Sequence, residues 1–244
     1  DGHYNVYNVP QGQALIGQNG KINPNATLGN VVTGADGNKY LLVPDNWDDE
    51  IYHHGLRQQY SLNASGASDK GGYYASFDYL KNEGITYASD YERFSARLKA
   101  DYMLKKWLRL NTNLSYNHFS SNSMTDEEGN TSVGNPFYMH NIAPIYPIFY
   151  RNAEGEILTH QASGLKGYDY GGADTQLGLV RPQAGNPVGD LLANQNRSQG
   201  NSFNGDFSFD AYITKHLTFT SINNIFFRES RSNSVTNPWF GQYA

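Results

Sequence analysis

Between Tyr91 and Leu104 the chain alternates residue by residue. Phe94, Ala96, Leu98, Ala100, Tyr102 and Leu104 stand at even positions, while Arg93, Ser95, Arg97, Lys99, Asp101 and Met103 stand at odd ones, with only Met103 out of phase. A helix turns once in about 3.6 residues and would mix the two sets on every face, so the spacing predicts a strand. Leu108, Leu110, Thr112, Leu114 and Tyr116 repeat the pattern against Arg109, Asn111, Asn113, Ser115 and Asn117, and Lys105-Lys106-Trp107 between them is long enough for a tight turn. An earlier pair sets Tyr60, Leu62 and Ala64, then Tyr73, Ala75, Phe77 and Tyr79, on one face, joined through Ser68-Asp69-Lys70-Gly71. A later pair does the same with Phe203, Phe207, Phe209, Ala211 and Ile213, a turn at Thr214-Lys215-His216, and then Leu217, Phe219, Ile225 and Phe227. On the last strand Ile222 and Phe226 break the polar face.

Six strands in three hairpins follow, each strand about ten to fourteen residues long. Strands of soluble proteins average about five or six residues, whereas a tilted strand crossing a bilayer needs about nine to eleven. Turns within hairpins are short, but the links between hairpins run from Lys81 to Asp90 and then for roughly 80 residues from Ser120 to Gly200. Short turns on one side and long loops on the other are the habit of outer-membrane barrels. The fold class expected is all-β: an antiparallel transmembrane β-barrel segment with long extracellular loops. The pattern also admits a soluble β-rich module, directed to glycans, whose apolar face packs into an ordinary core.

Composition supports strands over helices or disorder. The chain of 244 residues has 14% aromatic and only 17% charged side chains, with 27 Asn, 25 Gly and 19 Tyr. Disordered chains are poor in aromatics and rich in charge. A net charge of −5 argues against a nucleic-acid partner, and the absence of Cys removes disulfides, thiolate metal sites and cysteine nucleophiles. No run approaches the roughly 20 apolar residues of a membrane helix; Ile142 to Tyr150 is interrupted by Pro144 and Pro147. Six strands with open edges cannot stand alone in lipid, so the segment reads as an arc of a larger barrel.

The stretch Asp45-Asn46-Trp47-Asp48-Asp49-Glu50-Ile51-Tyr52, followed by Gly55 to Leu62, Ser65 to Lys70, Tyr73 to Ser76, Asn82 to Ile85, Tyr91 to Leu98, Lys106-Trp107-Leu108 and Thr112 to Tyr116, resembles the SusC/RagA family of TonB-dependent outer-membrane transporters. Asn23 to Gly29 resembles the segment that precedes this block, and Asn186-Pro187-Val188 resumes the likeness more faintly. The resemblance implies a barrel of about 22 strands around an internal plug that imports oligosaccharide or peptide fragments. It further implies a SusD-like surface lipoprotein as partner, energy from the TonB complex delivered through a plug region not found in this sequence, and outer-membrane lipid around the barrel. The expected division is 1–56 entering the barrel, 57–119 as two barrel hairpins, 120–200 as an extracellular loop, and 201–244 as a further hairpin and the start of the next loop. Arg93, Arg97, Lys99 and Arg109 would line the lumen, pairing with acidic neighbours more than with cargo.

Catalytic chemistry finds no support. Asp48-Asp49-Glu50 has no second carboxylate held at the distance glycoside hydrolysis requires, and neither a nucleophile elbow nor a phosphate loop is present. His53 and His54 are neighbours that a strand would point to opposite faces, and Asp126-Glu127-Glu128-Gly129-Asn130 lacks the alternating ligands of a calcium loop, so no metal or other cofactor is expected. Ligand contacts are better sought in the long link. Tyr138, His140, Tyr146, Tyr150, Tyr168, Asp169 and Tyr170 combine rings that stack on sugars or peptide side chains with directional hydrogen-bonding groups. The same residues could equally pack on one another or on the lipoprotein.

Overall fold

A computed structural model of the chain describes residues 4–123, 142–143, 145–182 and 185–235. They fall into two compact units: residues up to His53 with the described part of Met124–Gln195, and His54–Ser123 with Asn196–Ser234.

The first unit holds short ladders and two small helices. Strand β1 (Tyr7–Asn8) pairs with β2 (Thr27–Leu28), and β3 (Asn30–Thr33) with β4 (Lys39–Leu42), both antiparallel. Helix α1 (Trp47–Ile51) buries its first and last residues, and α2 (Pro187–Ala193) opens with Asn186 as cap and Pro at its first position, where a missing N–H costs nothing. The core joins Val6, Tyr40, Leu42, Tyr150 and Leu177. The sequence divides residues 1–56 from 120–200, yet they share this core. The Leu41 N–H donates to the Arg151 carbonyl at 3.1 Å, and Arg151 meets the Asp45 carboxylate through both terminal nitrogens at 2.6 and 3.1 Å.

The second unit is one sheet, built as a meander. Strands β5 (Arg57–Ser68), β6 (Gly71–Glu83), β7 (Asp90–Lys105), β8 (Leu108–Asn122), β9 (Gln195–Tyr212) and β10 (Thr218–Val235) pair in sequence order, with β5 and β10 at the edges. All three expected hairpins are present. Gly71 is required at its turn, because a Cβ there would lie 2.1 Å from the Asp101 carbonyl oxygen. Met103, out of phase in the sequence, precedes a β-bulge: Met103 pairs with Arg109 and Lys105 with Leu108, leaving Leu104 as the extra residue.

Register assembles the two faces. Leu62, Phe77, Ala96, Tyr116 and Phe203 form one row, and Ala64, Ala75, Leu98, Leu114 and Gly205 the next. Leu62 is 73% exposed and Ile225 58%, so the apolar side of this sheet is not a core. Monomers in water rarely expose an apolar patch beyond a few hundred Å². From Phe94 to Tyr102 the strand rises about 27 Å, or roughly 21 Å of height at a tilt near 40°, close to the ~25 Å apolar band of outer-membrane barrels. Tyr102 and Trp107 are exposed at the short-turn end. No helix among the described residues is long and apolar enough to cross a membrane.

The strands outrun their apolar stretches toward the long links. β9 begins at Gln195, eight residues before Phe203, and β8 continues to Asn122. Both faces of Gln195–Ser202 are polar, so no hydrophobic alternation marks that extension.

Candidate functional site

The polar face of the sheet carries the cations singled out in the sequence. Arg97 Nε donates to Asn113 Oδ1 at 3.0 Å, and Arg109 Nη2 meets Asp101 Oδ2 at 2.5 Å. Arg93 and Lys99 share this face by register, opposite Phe119 and Asn113. The network continues across the strands. Asn113 Nδ2 donates to Asp206 Oδ2 at 2.9 Å, and Asn224 Nδ2 donates to Asp206 Oδ1 at 2.6 Å. Asn111 Nδ2 reaches Ser208 and Asp210 at 3.3 Å. Short polar side chains at every second position can bond across a 4.8 Å strand spacing, which explains the abundance of Asn on this face.

The aromatic residues of the long link are drawn inward. Tyr150, Tyr168, Asp169 and Tyr170 line up along one extended segment and its neighbour, with Phe149 bridging Tyr168; Tyr150 and Tyr168 are buried and Asp169 has no exposed surface. Asp169 Oδ2 accepts from the Tyr4 hydroxyl at 2.6 Å and Oδ1 from the Gly171 N–H at 3.0 Å, with Arg181 Nη1 at 3.9 Å. Arg181 also donates to the Asp169 carbonyl at 3.1 Å and to the Gly185 carbonyl, and lies over the rings of Trp47 and Tyr146 at 5.7 and 5.6 Å. Tyr146, half-buried, meets Tyr4 edge-on at 5.1 Å. Tyr170 donates to Asp190 Oδ1 at 2.8 Å, and Tyr150 lies 5.9 Å from Tyr40. Tyr138 and His140 lie outside the described residues.

Burial governs the electrostatics of this cluster. Loss of solvent pushes the Asp169 carboxyl up, opposed by the Arg181 cation and the Tyr4 hydroxyl. Asp190 is pushed up to about 6 by burial, against the hydrogen bond from Tyr170. Burial and the adjoining carboxylates raise the Tyr4 and Tyr170 hydroxyls far above the usual phenol range, so both are fixed donors. Gly189 lets α2 approach, since a Cβ there would stand 2.7 Å from the Tyr170 hydroxyl and 2.9 Å from Tyr168 Cγ.

Tyr4, Arg181, Asn186 and Asp190 complete this cluster and are absent from the sequence-level candidates. Asn followed by Pro is a helix-start signal that marks α2, but nothing local ties Tyr4 to a carboxylate 165 residues away. Among the described residues no group of His, Asp or Glu is placed to hold a metal ion, and His53 and His54 lie in the stretch without regular structure between α1 and β5.

A sequential antiparallel meander with one exposed apolar face and one hydrogen-bonded polar face has the architecture of a transmembrane β-barrel arc. No protein-family model matches the sequence, and no curated protein matches it. Among solved structures, the chain is similar to one described as the RagAB peptide importer in the closed-closed state, with 21% identity and a TM-score of 0.57 over 84% of this chain and 20% of that one. The open-open state of that importer matches with 19% identity and a TM-score of 0.56, over 79% of this chain and 19% of that one. A structure of the RagAB peptide transporter matches with 21% identity and a TM-score of 0.57, over 78% and 20%. The chain thus spans about a fifth of the solved chains it matches, and the likeness is one of fold, in agreement with the SusC/RagA resemblance of the sequence.

Proposed function

We propose that the chain is part of the barrel of a TonB-dependent outer-membrane importer that takes up peptide or glycan fragments with a SusD-like surface lipoprotein. The observation that carries this reading is the sheet itself: six long strands in sequence order, apolar side chains exposed on one face and a continuous amide and carboxylate network on the other. The apolar face meets outer-membrane lipid, and Arg93, Arg97, Lys99 and Arg109 line the lumen. The likeness to RagAB importers favours peptides over glycans as cargo. The buried set around Asp169 serves to hold the long extracellular link in shape, and exposed groups of that link contact cargo or lipoprotein. This reading assigns the chain no catalytic role.

Cell fractionation followed by uptake assays tests this reading. The protein is expected in outer membranes, released only by detergent, and cells lacking it should lose uptake of labelled oligopeptides. A lipoprotein of SusD type should co-purify. Recovery of the protein as a monodisperse species in plain buffer would favour the soluble glycan-binding module instead.

A further inference from the structure

The apolar face of the sheet is not level. Ala64 and Ala75 stand side by side in one row and Ala96 in the next, each with only a methyl group, while the flanking positions carry Leu62, Phe77, Leu98 and Tyr116. They leave an apolar depression of about 390 Å³. Contacts inside the sheet set its walls. Phe77 meets Phe94 edge-on at 4.6 Å, Phe94 lies 6.2 Å from Tyr116, and Phe203 leans over Gly205, where a Cβ would stand 3.2 Å from its ring. Strands that complete a barrel add at the edges β5 and β10, and a plug lies against the polar face. Neither covers this depression.

On the side of the long links the depression borders polar groups. The row beyond Tyr116 reads Tyr60, Tyr79, Phe94, His118 and Asn201 across β5 to β9, and the next holds Lys81, Glu92, Ser120 and Gln199, so the apolar face ends there. Asn201 Oδ1 accepts from the Tyr116 hydroxyl at 2.8 Å and lies 2.9 Å from His118 Nδ1. Both contacts fall on Oδ1, and among the described residues nothing accepts from Asn201 Nδ2. In a bilayer both features call for the same occupant. An empty hollow forfeits the dispersion contacts of its walls, so hydrocarbon fills it. An amide donor at the edge of the hydrocarbon needs an acceptor, which lipids carry where their acyl chains join the headgroup.

We propose that this depression seats one acyl chain of a lipid from the outer leaflet, with Asn201 donating to the carbonyl or phosphate oxygens at the head of that chain. The site rests on the outer-membrane placement in the reading above. Its ring walls are held in position before the lipid arrives, so binding orders few side chains. This lipid therefore stays through detergent extraction, while those over the level parts of the face exchange. Ala96 and Ala100 offer a matched pair: both lie on the apolar face of β7, and only Ala96 lines the depression.

The test is native mass spectrometry of the whole protein extracted from outer membranes in mild detergent, with its abundance there measured in parallel. Wild type should retain one lipid per chain. Ala96→Leu fills the hollow with apolar atoms and should cut the retained lipid about tenfold, while Ala100→Leu leaves it unchanged. Asn201→Leu keeps the hollow but removes the donor and should lower retention several-fold. Wild type without retained lipid, or equal loss in Ala96→Leu and Ala100→Leu, would overturn the site and leave the importer standing. A protein dimer that Ala96→Leu dissociates would give the hollow to a second copy and also overturn it. Lipid retained by a protein whose cells import no labelled oligopeptide would uphold the site and refute the importer. Recovery of the protein from plain buffer would refute both.

Discussion

Replacing Asn186 with Ala should loosen the long link substantially. The Asn186 side chain is fully buried and donates to the carbonyls of Ile148 and Asp169 at 2.8 and 2.9 Å, while its oxygen accepts the Gly189 N–H at 3.1 Å. The variant loses all three bonds, but they are not equivalent. The Ile148 carbonyl still receives the Asp169 N–H at 2.9 Å, and the Asp169 carbonyl still receives Arg181 at 3.1 Å. Gly189 lies in the first turn of α2, where an N–H has no partner within the helix, so it alone is stripped. A bare buried N–H costs about 1–3 kcal/mol and each of the other two bonds about 1 kcal/mol, giving about 4 kcal/mol in all. Domains hold together by about 5–15 kcal/mol, so this is a large share. Hydrogen exchange of the detergent-extracted protein reads it directly. Protection of the Asp190 and Asn194 amides, which bond to Asn186 and Asp190 at 3.0 and 2.8 Å, should fall by about a hundredfold to a thousandfold. Asn186→Asp keeps the acceptor but sets a carboxylate against two carbonyls, and should do no better. A change below about threefold in Asn186→Ala would refute the accounting.

Three further outcomes are expected. Leu98→Arg puts a cation in the middle of the apolar face at a cost of about 2–4 kcal/mol, so folded protein in the outer membrane should drop several-fold, whereas Ser95→Arg on the polar face is tolerated; equal levels would contradict the lipid-facing assignment. Arg181→Ala leaves the buried Asp169 carboxylate without its cation and should destabilise the link by about 3–5 kcal/mol, with Asp169→Asn in the same chain restoring much of the loss; limited proteolysis of single and double variants measures the coupling. The Asp190 carboxyl has its proton affinity raised in the folded state, from 3.8 to about 6. The folded state therefore binds the proton more tightly than the opened one. Its stabilisation is complete below about pH 3.8, declines as pH rises through about 6, and is constant above that. Exchange protection around α2, corrected for intrinsic rates, should fall by up to about a hundredfold between pH 4 and 7, and Asp190→Asn should flatten the profile.

The strands, their hairpins and their faces were readable along the chain because a strand shows its environment at every second residue. Leu62, Phe77, Leu98 and Phe207 name the apolar side, Arg97, Asn113 and Asp206 the polar side, and Ile222 and Phe226 are visible as exceptions. Legibility ended where hydrophobicity stopped alternating. Gln195–Ser202 is polar on both faces, so the first eight residues of β9 carry no signal, and only pairing with β8 declares them strand. The long link shows the other boundary. Tyr150, Tyr168, Asp169 and Tyr170 have the chemistry of a binding surface in one dimension, and the fold buries them against Tyr4, Tyr40, Arg181 and Asp190. Whether a tyrosine offers its ring to a ligand or to a core depends on contacts beyond its own segment, from Asp190 for Tyr170 to Tyr40 for Tyr150. Local propensity carries no information about such contacts, and tertiary packing alone decides them.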